Sequence, residues 1–192
     1  MSALDGRAPF VLDVRELGRR AGAMLTLAIT QPAPADLHNP MIGVPEGSDV
    51  AMNLMAESVI EGVLITGTVE VTIAGSCSRC LEPVTDALEV DIQELFRYAD
   101  LDDGNEDDDN ELPTLDDDLI NIEPTLRDAV VLALPLAPVC SEECQGLCPD
   151  CGIRLADEPG HQHEQLDPRW AALTGLLTET NSGESREEDV KD

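Results

Sequence analysis

Six cysteines, grouped in closely spaced pairs, place the strongest constraint on how this chain can fold. The first pair, Cys77 and Cys80, and the last pair, Cys148 and Cys151, each leave two residues between the thiols. This spacing lets two thiolates bind one side of a tetrahedral ion, and two such pairs complete a four-thiolate shell. The pattern therefore predicts a structural zinc site formed by Cys77, Cys80, Cys148 and Cys151.

Two further cysteines, Cys140 and Cys144, lie between these pairs and are alternative ligands. With three residues between them, they complete a shell either with the first pair or with the last pair. His161 and His163 can each replace a cysteine in any of these sets. Pro159 and Gly160 precede them and favour a surface loop for both histidines. The spacing alone leaves the choice of ligands open.

Other cysteine chemistry is less consistent with the sequence. A thioredoxin-like pair lies between a strand and a helix, whereas Cys77 and Cys80 lie between two predicted strands. A nucleophilic cysteine needs a histidine base and an orienting group, and the three histidines form no such motif. Phosphate-binding glycine patterns and serine-nucleophile motifs are also missing. The chain is therefore predicted not to be an enzyme.

The net charge of the chain indicates which classes of binding partner are plausible. The chain has 40 acidic and 11 basic residues, a formal net charge of −29. Proteins that bind nucleic acid neutralise its phosphates with Lys and Arg. Because this chain has few basic residues, a broad RNA-binding surface is disfavoured. Long-range attraction instead favours a basic protein partner. Residues 100–118, which are acidic and of low complexity, are predicted to be a disordered loop.

Alternating apolar and polar residues predict several strands. Between Val59 and Ala74 the apolar side chains recur at every second position, and Leu88–Ile92 alternates in the same way. We predict a β-hairpin from these two runs, with the first cysteine pair at its tip. Gly67 predicts a bend or bulge within the hairpin. Shorter strands are predicted around residues 10–14, 24–29 and 50–54.

Two helices complete the predicted fold. Leu119–Leu134 carries apolar residues at helical spacing, with Pro124 in its first turn and Pro135 at its end. A C-terminal helix is predicted to begin at Asp167 and Pro168. The expected class is α+β, an antiparallel sheet with a packed helix, zinc-binding knuckles and a C-terminal helix. The predicted segments are a mainly β region at 1–99, an acidic loop at 100–118, the rest of the same domain at 119–178 and a disordered tail at 179–192.

The chain shows no membrane or export signal. Its apolar runs fall short of the roughly 20 residues of a membrane span, and residues 1–9 do not resemble a signal peptide. A soluble, cytoplasmic protein without a membrane partner is expected. Because the cytoplasm keeps thiols reduced, the cysteines are expected to bind metal rather than form disulfides.

Four segments together resemble the YceD family, the large ribosomal RNA subunit accumulation proteins, and the resemblance spans roughly residues 10–178. The segments are Cys77–Glu82, Leu119–Cys140, Gly146–Gly152 and Asp167–Leu173. The preference for Arg over Lys and the acidic insert resemble those of an actinobacterial member of this family. The resemblance implies a cytoplasmic, non-catalytic factor that supports normal levels of large-subunit ribosomal RNA.

Charge suggests how such a factor would act. A chain at −29 is better suited to handle a basic ribosomal protein of the large-subunit precursor than to hold RNA directly. Arg79, Arg127 and Arg169 lie within the family-like segments and are candidates either for phosphate contacts or for ion pairs with nearby acids. The alternative function is a zinc- and thiol-dependent regulatory or redox-sensing module.

Overall fold

The computed structural model describes residues 4–99 and 112–163. Its chain divides into two compact units, Met1–Gly146 and Leu147–Asp192. The acidic residues 100–111, the predicted C-terminal helix and the predicted disordered tail lie outside the described residues. Within the described part, no helix is long and apolar enough to cross a membrane.

The first unit is built on a five-stranded antiparallel sheet. Its strands are β2 (Met24–Pro32), β3 (Ile42–Gly43), β4 (Asp49–Ser58), β5 (Gly62–Ser76) and β6 (Pro83–Arg97). β4 lies between β2 and β5, and β5 pairs with β6 along its whole length and with β3 near its end. The antiparallel sheet and the α+β class predicted from the sequence are confirmed.

One face of this sheet forms the core. The apolar residues at every second position of β5 are buried, at most 4% exposed: Val63, Ile65, Val69, Val71 and Ile73. On β4, Val50, Met52 and Leu54 are at most 1% exposed and continue the same face. Side chains alternate between the two faces of a strand, so the period-2 pattern is sufficient to identify this face.

The predicted hairpin is present. β5 and β6 pair in register from Ser76 opposite Pro83 to Gly62 opposite Arg97. The prediction of a bulge at Gly67 is wrong, because pairing to β4 and to β6 continues through this residue without a skipped position. A glycine is needed at position 67 for a different reason. A Cβ there would lie 2.1 Å from the carbonyl oxygen of Asn53, and the backbone φ of Gly67 is +153°.

A second, two-stranded sheet precedes the helix. β1 (Val11–Asp13) pairs with β7 (Leu119–Asn121), and α1 follows at Glu123–Ala133. The predicted start of the helix at Leu119 is therefore four residues too early. The backbone of residues 119–121 pairs with β1 instead, which buries Ile120, and Pro124 fits the first turn of a helix that begins at Glu123.

Helix α1 attaches to the sheet through one apolar stripe. Leu126 and Val130, one turn apart, are fully buried, and the helix contacts β6. Leu134 is extended at the end of the helix, as expected for a residue that precedes a proline. The chain thereby leaves α1 in a new direction, toward the cysteines that follow.

Leu126→Ala is expected to lower the free energy of unfolding by about 2–5 kcal/mol, because it removes a fully buried side chain and leaves a cavity. Leu132→Ala is the matched control on the same helix, since Leu132 is 86% exposed and its loss should change stability by no more than about 0.5 kcal/mol. Urea unfolding of both variants measures the difference. Equal losses would show that α1 does not pack through Leu126.

Candidate metal centres

The four-cysteine cluster consists of Cys77, Cys80, Cys140 and Cys144, whose sulfur atoms all lie within 4.8 Å of one another. The Sγ atoms of Cys77 and Cys144 are 3.8 Å apart, and those of Cys80 and Cys140 are 3.6 Å apart. A tetrahedral zinc ion with Zn–S bonds of about 2.3 Å requires sulfur separations of about 3.8 Å. The donor set and the observed distances therefore fit zinc.

The turn between β5 and β6 positions the first two thiols. The amide of Cys77 donates a hydrogen bond to the carbonyl of Glu82 (2.8 Å), and the amide of Leu81 donates to the carbonyl of Cys77 (2.9 Å). Leu81 closes the turn in the left-handed region, at a φ of 63°. The amide of Arg79 points at the Cys77 sulfur, 3.4 Å away. This turn places both thiols on one side of the hairpin tip.

Hydrogen bonds also join the hairpin tip to the segment after α1. The amide of Ser78 donates to the carbonyl of Pro138 at 2.7 Å. The Nη1 atom of Arg79 donates to the carbonyls of Glu142 and Cys144, each at 3.1 Å. Arg79, a candidate for phosphate contact from the sequence, therefore holds the two halves of the cluster together.

The thiols of Cys77 and Cys80 have opposite pKa shifts. A hydrogen bond from the backbone amide of Cys80 is the main cause that lowers the pKa of Cys77 to about 6. The backbone hydrogen bond from Glu82 favours the Cys80 thiolate, but burial and the neighbouring thiols outweigh it and raise the pKa of Cys80 to about 12. Packed thiols thus resist a second ionisation. A divalent cation would stabilise further thiolates, so metal uptake is expected to release protons.

The Cys-His cluster lies in the second unit and consists of Cys148, Cys151, His161 and His163, with ligand atoms within 4.8 Å of one another. The Cys151 sulfur is 3.2 Å from the Nε2 atom of each histidine, and the two Nε2 atoms are 2.9 Å apart. Around tetrahedral zinc these separations are about 3.6 Å and 3.3 Å. An outward movement of a few tenths of an ångström accommodates the ion.

The structure divides the four cysteines of the shell predicted from the sequence between these two clusters. The first pair lies with Cys140 and Cys144, which is one of the alternative shells, and the last pair lies with His161 and His163. Either cluster could hold a metal ion. We propose the four-cysteine cluster as the zinc site of the first unit.

The grouping of both histidines with the last cysteine pair was missed from the sequence, where they are predicted on a surface loop as substitutes for single cysteines. A signal was present. His161 and His163 are separated by one residue and follow Cys151 after nine residues, so two ring nitrogens can approach the cysteine pair from one side. Two cysteines and two histidines are a common zinc ligand set, although the one-residue gap between these histidines is shorter than the usual gap of roughly three to five residues.

Comparison with known proteins gives the chain its family. The model of the family described as "Large ribosomal RNA subunit accumulation protein YceD" matches residues 65–177, which include both clusters. The uncharacterized protein Rv2926c of Mycobacterium tuberculosis is 45% identical over 170 residues, 88% of this chain and 82% of that protein. The uncharacterized protein ML1660 of Mycobacterium leprae is 37% identical over 170 residues, 88% of this chain and 78% of that protein.

A relative outside the mycobacteria shares a shorter region. The uncharacterized protein YlbN of Bacillus subtilis is 35% identical over 113 residues, 55% of this chain and 63% of that protein. No solved structure matches the chain significantly. Because the family model covers more than half of the sequence and the mycobacterial relatives match along most of their length, the chain belongs to the YceD family of large ribosomal RNA subunit accumulation proteins.

Proposed function

We propose that this chain is a non-catalytic cytoplasmic factor that supports the accumulation of large-subunit ribosomal RNA by handling a basic ribosomal protein. The family description, which names an accumulation protein rather than an enzyme, carries the first half of this proposal. The net charge of −29 supports the second half, because it attracts a cationic protein and repels phosphate.

The acidic face of the sheet, opposite the core, supports a basic partner. It is formed by outward-facing residues of β4, β5 and β6: Asp49, Glu57, Glu70, Glu89 and Asp91. Among the residues of β2, β4, β5 and β6, the single basic residue is Arg97, at the last position of β6. This face therefore presents negative charge along the middle of the sheet.

Two of these acids occupy positions that do not help the fold. Glu70 and Glu89 are exposed and directly opposite each other on neighbouring antiparallel strands. Like charges in such a pair lower the stability of a sheet. A cationic segment bound across β5 and β6 would be attracted to both carboxylates and would offset their mutual repulsion. This supports a role for the pair in binding a basic partner.

Two of the three arginine candidates for RNA contact, Arg79 and Arg127, are engaged within the protein. Arg127 donates to the carbonyls of Ala35 and Asp36, at 3.0 and 3.1 Å, and forms an ion pair with Glu123 at 3.0 Å. Arg79 contacts carbonyls beside the four-cysteine cluster, and Arg169 lies outside the described residues. Internal partners for Arg79 and Arg127 favour a structural role for both.

Depletion of the protein in its host is expected to lower the ratio of large- to small-subunit ribosomal RNA, with a matching loss of large-subunit particles. The ratio is measured from total RNA and from sucrose gradients of the same cultures. Expression of the wild-type chain in the depleted strain serves as the control and should restore the ratio. An unchanged ratio after depletion would contradict the proposed function.

Binding to purified ribosomal proteins tests the partner. The variant E70Q/E89Q/D91N should associate with basic ribosomal proteins about tenfold more slowly at low salt, because it removes charge from the acidic face. The matched control E16Q/E46Q/E61Q removes three other exposed acids and should retain most of the rate. Tight, salt-sensitive binding of the wild-type chain to naked large-subunit RNA would overturn the protein-partner mechanism.

Regulation through the thiols is a second candidate function. Cys140 and Cys151 are exposed, one in each cluster, and are therefore accessible to an oxidant. If the protein has this function, treatment with mild peroxide is expected to release its zinc reversibly and to change the partners that it binds. Unchanged zinc content and unchanged partners after peroxide would contradict it.

A further inference from the structure

The described part of the second unit has almost no hydrophobic interior. Among residues 147–163, Cys148 is the single buried residue, and it is also a member of the Cys-His cluster. Leu147, Ile153 and Leu155 are each partly exposed. The whole unit, Leu147–Asp192, is small, and domains of this size often depend on a metal or disulfides to fix one conformation. A metal bound by the Cys-His cluster would supply the stability that the apolar side chains of residues 147–163 do not.

The backbone of the segment folds into a knuckle around its cysteine pair. The amide of Cys148 donates to the carbonyl of Ile153 (2.8 Å), and the amide of Gly152 donates back to the carbonyl of Cys148 (2.9 Å). Gly152 has a φ of +73°, a left-handed conformation that glycine adopts without strain. These bonds turn both thiols toward the same point. A second turn, with Gly160 at a φ of +93°, returns the chain to that point.

The histidines are oriented as metal ligands usually are. Both present Nε2 to the cluster, and the Nδ1 atom of His161 faces the carboxylate of Glu158 at 3.7 Å. A carboxylate at the remote nitrogen favours the tautomer with a proton on Nδ1, which leaves the Nε2 lone pair free for a metal. The amide of His161 also donates to the carbonyl of Glu158 (3.1 Å), which fixes this arrangement.

We propose that the Cys-His cluster is a second zinc site, separate from the four-cysteine cluster, and that zinc is what orders residues 147–163. Two thiolates and two imidazoles are a common tetrahedral zinc set. The chain then binds one zinc ion in each unit. Loss of the second ion unfolds its own segment and leaves the sheet of the first unit intact.

Metal analysis of the full chain tests this proposal. The wild-type protein, loaded with zinc and dialysed, should retain two zinc ions per chain, and H161A/H163A should retain one. His38→Ala is the matched control, because His38 is the remaining histidine of the sequence and belongs to neither cluster. A full wild-type zinc content in H161A/H163A would overturn the proposal.

Hydrogen exchange separates loss of the site from general misfolding. In H161A/H163A the amides of Cys148 and Gly152 should exchange much faster, while the amides of β4 and β5 keep their wild-type protection. Unchanged protection of Cys148 and Gly152 in the variant would contradict a metal-ordered segment, and lost protection of β4 and β5 would contradict a site confined to the second unit.

Discussion

Cys80→Ser is expected to empty the four-cysteine cluster of zinc and to remove most of the folding stability of the first unit. Cys80 is only 6% exposed and is one of four converging thiols. Structural zinc contributes on the order of 10 kcal/mol of apparent binding free energy, whereas a whole domain is stable by about 5–15 kcal/mol. The loss should therefore reach several kcal/mol. Zinc content and urea unfolding, measured on the same samples, determine it.

Ser78→Ala is the matched control for this variant. Ser78 lies between the two cysteines, its side chain is exposed, and its contact with Pro138 is made by the backbone amide, which the substitution keeps. This control should retain its zinc and its stability within about 0.5 kcal/mol. A full zinc complement in the Cys80→Ser protein would show that Cys80 is not a ligand.

Gly67→Ala is expected to destabilise the sheet strongly, because the substitution combines a backbone clash with an unfavourable φ. The added Cβ would lie 2.1 Å from the carbonyl oxygen of Asn53 and 2.8 Å from the Cα of Leu54, and both atoms belong to the paired backbone of β4. Backbone in the middle of a sheet cannot move away without breaking its hydrogen bonds. We expect a loss of about 3 kcal/mol or more in the free energy of unfolding, measured by urea denaturation.

Gly47→Ala isolates the contribution of backbone conformation. Gly47 also has a positive φ, +78°, but its Cβ position has no atom within 4 Å. This variant should lose about 1–2 kcal/mol, the cost of a left-handed conformation alone. Equal losses in the two variants would show that the approach of Asn53 to Gly67 does not contribute.

Much of the fold follows from local patterns in the sequence. Val63, Ile65 and Val69 predict the buried face of β5 because a strand has a period of two, whatever its neighbours are. The start of α1 was less predictable. Leu119 and Ile120 suit a helix by their local sequence, but pairing with β1, more than a hundred residues earlier, draws them into a strand.

The candidate site shows the same division between local and long-range information. Each pair of thiols can be recognised from its own spacing, but spacing cannot show which pairs meet in space. The meeting of Cys77 with Cys144 depends on the length of the β5–β6 hairpin and on the direction of the chain after Leu134. Hydrogen bonds from Arg79 to carbonyl oxygens add a preference for one partner segment that the sequence does not reveal.

The positions of the four cysteines in the sequence also determine when the four-cysteine cluster can form during synthesis. Its two halves are separated by about sixty residues, from Cys80 to Cys140. At synthesis rates of 5–20 residues per second, the first two thiols leave the ribosome roughly 3–12 s before the next one. During this interval the hairpin tip carries Cys77 and Cys80 without the other two thiols of the cluster. The four-cysteine cluster can therefore be completed only late in synthesis, because its two halves are far apart in the sequence.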